Sequence, residues 1–150
     1  MARKDKWNEV VNIYQWSPLA HKVKITKSGD TALHIAVSHG QEEKVKQLVG
    51  ILINSPQEGS KEALEIRNKI GNTALHVAAS MGSVGMCQSI AQVDKSLVGV
   101  PNEDGETPFF LAALHGKKKP SFVFLESVGE KIFVKVISRG IMVTLFFMLR

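Results

Sequence analysis

The fold is decided by one stretch that the sequence repeats, Gly29–Gly40, which reads GDTALHIAVSHG. It returns 42 positions later, in Gly71–Gly82, as GNTALHVAASMG, with eight of the twelve positions identical. A more divergent third copy, GETPFFLAALHG, follows 34 positions further on, in Gly105–Gly116. Copies at such a spacing predict a solenoid, in which similar units stack in a row and each unit contacts only its neighbours.

Each copy predicts a tight turn followed by a short helix. A glycine in the polar turn tolerates a positive φ, and two residues later a threonine stands where its hydroxyl can cap a helix. Leu33, Ala36 and Val37 then form an apolar stripe at helical spacing, and a second glycine ends the helix. In the third copy, Pro108 takes the first helical position, which proline tolerates well. The repeat signature comprises Gly29, Thr31, Leu33, His34, Ala36, Gly40, Gly71, Thr73, Leu75, His76, Ala78, Gly82, Gly105, Thr107, Pro108, Ala112 and Gly116.

A second helix is predicted after each of the first two stops, because apolar side chains recur there at helical spacing. These side chains are Val45, Leu48, Val49 and Leu52 in the first unit, and Met86, Cys87, Ile90 and Ala91 in the second. The first unit exceeds a 33-residue repeat by about nine residues. We place them in a surface loop at Asn54–Ser60, followed by a short turn of helix in Lys61–Ile66. Upstream, Trp7–Tyr14 has the spacing of the second helix of a preceding, incomplete unit.

These features resemble the ankyrin-repeat family over residues 7–128, because a unit of about 33 residues with the pattern Thr-Pro-Leu-His-x-Ala is the signature of that family. The amino-acid sequence resembles that of one plant subgroup in three segments, His21–Thr26, Ala63–Asn68 and Ala78–Val84. Longer members of that subgroup carry a C-terminal membrane domain with a Pro-Gly-Gly motif, which this sequence lacks. The resemblance therefore implies the N-terminal part of such a protein, a truncated paralogue or a divergent gene product.

The predicted fold is an all-α ankyrin-repeat solenoid of about three helix-turn-helix units with hairpin-like loops. We expect a partial unit in residues 1–28 and repeats in residues 29–66, 67–100 and 101–128, with Phe122, Leu125 and Val128 on the last helix. Residues 129–150 form a divergent, apolar and irregular tail in this interpretation.

The charge of the chain is unevenly distributed. The 150 residues carry a net charge of +5. The middle of the chain, residues 28–116, carries −4, whereas residues 1–27 and 117–150 together carry +9. The predicted repeats are therefore acidic, and a basic surface for nucleic acid is not indicated across them.

No group of residues indicates an enzyme. His34 and His76 recur at one place in successive units, where the third copy has Phe110, so we interpret them as architectural. Each is expected to bond to the threonine three residues earlier and to turn backbone, rather than to act as a ligand or base. The only cysteine, Cys87, lies on an apolar helix face, which predicts a buried and unreactive thiol. We predict no catalytic residue, no cofactor, no metal site and no small-molecule substrate.

Recognition of a protein is the remaining function, and its partner is not identified by the sequence. The resemblance implies a concave surface made by the turn tips and by the exposed face of each first helix. The residues assigned to it are Lys27, Ser28, Asp30, Ser38, His39, Lys69, Ile70, Asn72, Ser80, Met81, Glu103, Asp104, Glu106, Leu114 and His115. The third tip is wholly acidic, which suggests a partner with a basic patch near the third unit.

Two other kinds of partner are a membrane surface and a nucleic acid. Peripheral contact with a membrane is the alternative function, since the basic run Lys117–Lys119 precedes the apolar stretch Ile141–Leu149. As a helix this stretch would span roughly 13 Å, too short for a bilayer core of about 30 Å. Nucleic acid is disfavoured because the repeats are acidic and contain no base-reading motif. We expect a cytoplasmic protein, associated with a membrane if it acts within the longer architecture.

Overall fold

The computed structural model describes residues 2–55 and 59–114, and this part of the chain is all-α. Its helices are α1 (Ala2–Trp16), α2 (Ala32–Ser38), α3 (Glu42–Asn54), α4 (Ser60–Glu65), α5 (Ala74–Met81), α6 (Val84–Ala91) and α7 (Pro108–Leu114). Two 3₁₀ helices, Pro18–Lys22 and Lys95–Gly99, precede the first and third turns. The only β-type pairing within the described residues is an isolated antiparallel bridge between Lys24 and Thr31.

The helices form two layers. The first helices of the units, α2, α5 and α7, pack against one another and make an inner layer. The second helices, α3 and α6, pack in the same way in an outer layer, with α1 against α3. The predicted helix-turn-helix units are thus confirmed in α2–α3 and α5–α6, and α1 takes the place of a second helix of an incomplete unit.

The predicted N-caps are confirmed. The hydroxyl of Thr31 accepts from the backbone N–H of His34, and that of Thr73 accepts from His76 in the same way. In the third unit the backbone N–H of Phe110 donates to Thr107 at 3.1 Å. Each cap satisfies one of the backbone donors that a helix leaves without an intrahelical partner.

The predicted apolar stripes form the core. Leu33, Ala36, Val37, Leu75, Ala78 and Ala79 are buried on the inner helices. All eight residues named for the faces of the two second helices are buried as well. Tyr14 belongs to the same core, and Trp7, Val10 and Val11 pack against it from α1. Because one cluster includes side chains from α1 to α7, the units are held together mainly by apolar burial between neighbours.

The longer first unit is accommodated after α3, which ends at Asn54. The next helix, α4, runs from Ser60 to Glu65, so the predicted short helix is confirmed and begins one residue earlier than expected. Residues 56–58 of the predicted loop lie outside the described residues. The 3₁₀ helix Lys95–Gly99 was not predicted; the side chain of Asp94 caps it by accepting from the backbone N–H of Ser96. No helix in the described ranges is long and apolar enough to cross a membrane.

Several predictions concern residues that the structure does not describe. These are the second helix of the third unit, with Phe122, Leu125 and Val128, the ending of its first helix at Gly116, and the divergent tail 129–150. The basic run Lys117–Lys119 and the apolar stretch Ile141–Leu149 also lie outside the described residues, so the membrane hypothesis stays a prediction.

Candidate functional site

The three turns stack into one continuous row, which we call the turn row and define as residues 26–30, 68–72 and 102–106. The backbone N–H of Lys69 donates to the carbonyl of Ser28 at 2.9 Å, and that of Glu103 donates to Ile70 at 3.4 Å. Gly71 allows the second contact, because a Cβ at this position would lie 2.6 Å from the Glu103 nitrogen. The turn tips are therefore fixed against one another by the backbone.

Side-chain amides link the same turns. The amide nitrogen of Asn68 donates to Asp30 at 2.9 Å, and that of Asn102 donates to Asn72 at 2.9 Å. Within the third turn, the side-chain oxygen of Asn102 accepts from the backbone N–H of Glu106 at 2.9 Å. Asp30, Asn72 and Glu106, which were assigned to partner binding, are half-buried in this network. Asn68 and Asn102 were missed, although they recur at one place in successive units.

The two repeat histidines join neighbouring units, and their partners define the tautomer. In the first unit the backbone N–H of Thr31 donates to His34 Nδ1 at 3.3 Å. A carbonyl can only accept, so Nε2 must carry the proton that it donates to Asn72, at 2.8 Å. His76 repeats both bonds, from Thr73 to Nδ1 at 3.1 Å and from Nε2 to the Glu106 carbonyl at 3.0 Å.

Burial favours the neutral form of both imidazoles. Burial lowers the pKa of His34 below its ordinary value of 6.5, and it lowers the pKa of His76 to about 4. A second proton would turn Nδ1 into a donor facing another donor. Both nitrogens of each ring are engaged with the fold itself, and these are the bonds that the architectural interpretation of His34 and His76 predicts.

Cys87 is fully buried on α6, and burial raises the pKa of its thiol to about 12. A thiol that stays protonated and buried is neither a nucleophile nor a ready metal ligand. Within the ranges 2–55 and 59–114, no three His, Cys, Asp or Glu side chains form a group that could hold a metal ion.

The remaining residues assigned to partner binding lie at the surface. On the turn row, Lys27, Ser28, Lys69, Ile70, Glu103 and Asp104 are exposed. At the far ends of the inner helices, Ser38, His39, Met81 and Leu114 are exposed and Ser80 is half-buried. His115 lies outside the described residues. The assigned residues within the described part of the chain thus lie on the turn row and the inner helices. None of those on the inner helices is Lys, Arg, Asp or Glu.

A cleft of about 920 Å³ lies elsewhere, between α1 and α3 in the outer layer. Amide side chains line much of it, including Asn8, Asn12, Gln15 and Gln47. The cleft could not be predicted from the sequence, because it depends on how α1 packs against α3. It lies among outer-layer elements and is separate from the turn row.

Comparison with known proteins identifies the repeats. The family model for the ankyrin repeat matches residues 28–56 and 70–94, which are the first two helix-turn-helix units. A chain in the crystal structure of the yeast ribosomal protein Rps3 in complex with its chaperone Yar1 superposes with a TM-score of 0.70 at 28% identity. The match covers 83% of this chain and 86% of that chain. The chain therefore contains ankyrin repeats, and its fold is an ankyrin solenoid.

Among curated proteins, the chain is similar to the probable 26S proteasome regulatory subunit p28 of Saccharomyces cerevisiae, at 30% identity over 108 residues. It is also 30% identical over 115 residues to an ankyrin repeat-containing protein of Arabidopsis thaliana. These matches cover 72% and 75% of this chain but only 43% and 21% of the two relatives. The comparisons support a protein-interaction adaptor of a typically non-catalytic fold.

Proposed function

We propose that this protein is a non-catalytic scaffold that holds a protein partner on the concave surface formed by the turn row and the inner helices. The observation that carries the proposal is that the repeated polar side chains bond within the fold, whereas other side chains of the turn row and inner helices are exposed. The repeated histidines and asparagines hold neighbouring units together, whereas Lys27, Lys69 and Asp104 of the turn row and Met81 of an inner helix are exposed.

Two of the similarities support this proposal: one relative is a probable proteasome regulatory subunit, and the similar structure is a complex of a ribosomal protein with its chaperone. A role in plant signalling or stress response, which the resemblance implies, and the expected cytoplasmic location are part of the proposal. The match to the ankyrin repeat-containing protein of Arabidopsis thaliana supports the plant relationship. The partner itself must be found by experiment.

Site-specific photocrosslinking tests the scaffold directly. A photoreactive phenylalanine analogue is placed at Ser38 or Met81 on the inner helices, and at the exposed Gln88 of the outer helix α6 as the matched control. We expect the same discrete crosslinked partner from Ser38 and Met81 and none from Gln88. Equal crosslinking from all three positions would contradict a partner site on the concave surface.

Substitution then checks the crosslinked partner. Ile70→Glu and Met81→Glu place a charge on exposed apolar side chains of the concave surface, whereas Gln88→Glu adds the same charge to the outer layer. The first two changes should weaken capture of the partner roughly tenfold or more, since a desolvated charge disfavours an interface core. Capture unchanged by both would exclude this surface.

A further inference from the structure

The exposed charges of the turn row follow a fixed order. Lys27 and Lys69 are the exposed tip cations of the first two turns, and Glu103 and Asp104 are the exposed tip anions of the third. Between them stands Ile70, which is 59% exposed. The first turn therefore presents a cation, the second turn a cation beside an apolar side chain, and the third turn two anions.

The tip charges form no ion pair with other side chains of the described residues. The described residues contain three ion pairs, Lys22–Glu62, Lys46–Glu42 and Lys46–Glu43, and none of them involves the turn row. The one acidic residue of the first turn, Asp30, is half-buried and accepts hydrogen bonds from Asn68 and Thr26. The outward charge of the first turn is accordingly positive.

Spacing sets the size of the matching ligand. Neighbouring helices pack about 8–10 Å apart, so three stacked turns span roughly 16–20 Å. An extended chain rises about 3.3 Å per residue and would follow the row with about six residues. The Debye length is about 8 Å at physiological ionic strength, so the charges at the two ends of the row are largely screened from each other. A ligand therefore meets the basic end and the acidic end as separate charges.

We propose that the turn row binds an extended segment of another protein whose charges lie in two blocks. Acidic residues of the segment lie against Lys27 and Lys69, an apolar residue contacts Ile70, and basic residues lie against Glu103 and Asp104. A nucleic acid fits poorly, because the carboxylates of the third turn repel phosphate. This inference rests on the proposed scaffold function and specifies the class of its partner.

Two short fluorescein-labelled peptides of one composition test the charge order on the full chain. One carries acidic residues, then leucine, then basic residues in blocks, and the other alternates acidic and basic residues. Fluorescence anisotropy should show the block peptide binding roughly tenfold more tightly than the alternating one. The difference should shrink as the salt concentration rises, because exposed charges are screened.

Charge reversal with rescue separates recognition from damage to the fold. Lys27→Glu/Lys69→Glu makes all the exposed tip charges of the row negative, and Glu103→Lys/Asp104→Lys makes them all positive. Each double variant should lose the block peptide, whereas the quadruple variant should regain it, because the peptide can bind turned end for end. Lys6→Glu/Glu9→Lys exchanges two exposed charges on α1 and is the matched control, expected to bind as the wild type does.

Four outcomes overturn the inference. Equal binding of the block and alternating peptides, or no binding of either, rejects recognition of charge order. Failure of the quadruple variant to regain binding, with its helical circular dichroism intact, rejects it as well. Self-association of the wild-type chain that both double variants abolish would assign the row to a second copy instead. The proposed scaffold is judged separately, by whether Ser38 and Met81 crosslink a partner that Gln88 does not.

Discussion

His76 joins two units because its two ring nitrogens have different partners. Nδ1 accepts from the backbone of its own cap, and Nε2 donates to the turn of the next unit. The side chain is fully buried, so the bonds are made where an unsatisfied group would be costly. The spacing of threonine and histidine predicted the first bond, whereas the second depends on how closely the next turn approaches.

The stability of the fold should fall as the solution is made mildly acidic. Because burial lowers the pKa of His76 from 6.5 to about 4, the unfolded chain takes up the proton first as the pH falls. The stabilisation is thus complete above about pH 6.5 and is lost between about pH 6.5 and pH 4, with His34 shifting in the same direction. From this linkage we expect a loss on the order of 2 kcal/mol between pH 7 and pH 5 for His76 alone.

Urea unfolding at the two pH values measures this loss. The variant His76→Gln removes the titrating group and should flatten the dependence on pH, although it is less stable than the wild type at pH 7. If His76→Gln keeps the full pH dependence of the wild type, the lowered pKa of His76 is not its source.

Gly71 should be the less replaceable of two glycines with similar φ values. Gly40 has φ +68 with nothing within 4 Å of an added Cβ, whereas Gly71 has φ +79 and a backbone nitrogen 2.6 Å away. Gly40→Ala therefore carries only the left-handed penalty of about 1–2 kcal/mol. Gly71→Ala adds a clash that should cost about 1–3 kcal/mol more. Equal free energies of unfolding for the two variants, from urea titration, would show that the turns separate without penalty.

The helices were predictable from the sequence because their signals are local. Caps such as Thr31 and Thr73, and the stripe Leu75, Ala78 and Ala79, each lie within one helical turn or two. Asn68 and Asn102 were missed because their function depends on the neighbouring turn. The 3₁₀ helix Lys95–Gly99 was missed because so short an element has a weak sequence signal.

Truncation of the helix stripe should destabilise the repeats strongly. Leu33 and Leu75 are 2% and 0% exposed, so Leu33→Ala or Leu75→Ala should cost about 2–5 kcal/mol through lost burial and a cavity. Ile70→Ala is the matched control, since its side chain is exposed and should change stability by less than about 0.5 kcal/mol. Chemical unfolding followed by circular dichroism measures all three. Changes within that limit at both leucines would contradict a repeat core in which these side chains are buried.

In the molecule as a whole, the stacking of units sets the order of surface charge. Each turn contributes its own tip residues, so the order Lys27, Lys69, Glu103 along the chain becomes an order in space. The sequence already showed the acidic third tip. That the tips form one row, and that Asp30 accepts a hydrogen bond from Asn68, could not be predicted from the sequence, because both depend on contacts between stacked units.

The same stacking predicts that the described units unfold together. Both tryptophans lie in α1, and Trp7 packs against the core with its ring edge-on to His39 at 6.3 Å. Tryptophan fluorescence therefore reports on the N-terminal element, whereas circular dichroism reports on all helices. Leu75 lies in α5, which packs against α2 and α6; both of these helices pack against α3, and α3 packs against α1.

If one core couples these helices, Leu75→Ala should lower the fluorescence midpoint by as much as the dichroism midpoint, because a short array of units unfolds as one. The measurement is a single urea titration of the wild type and the variant, read by both probes on the same samples. A fluorescence transition that keeps its wild-type midpoint while the dichroism transition shifts would mean that α1 unfolds independently of α5. The core that extends from Tyr14 to Ala112 would then be continuous in space but would not unfold cooperatively.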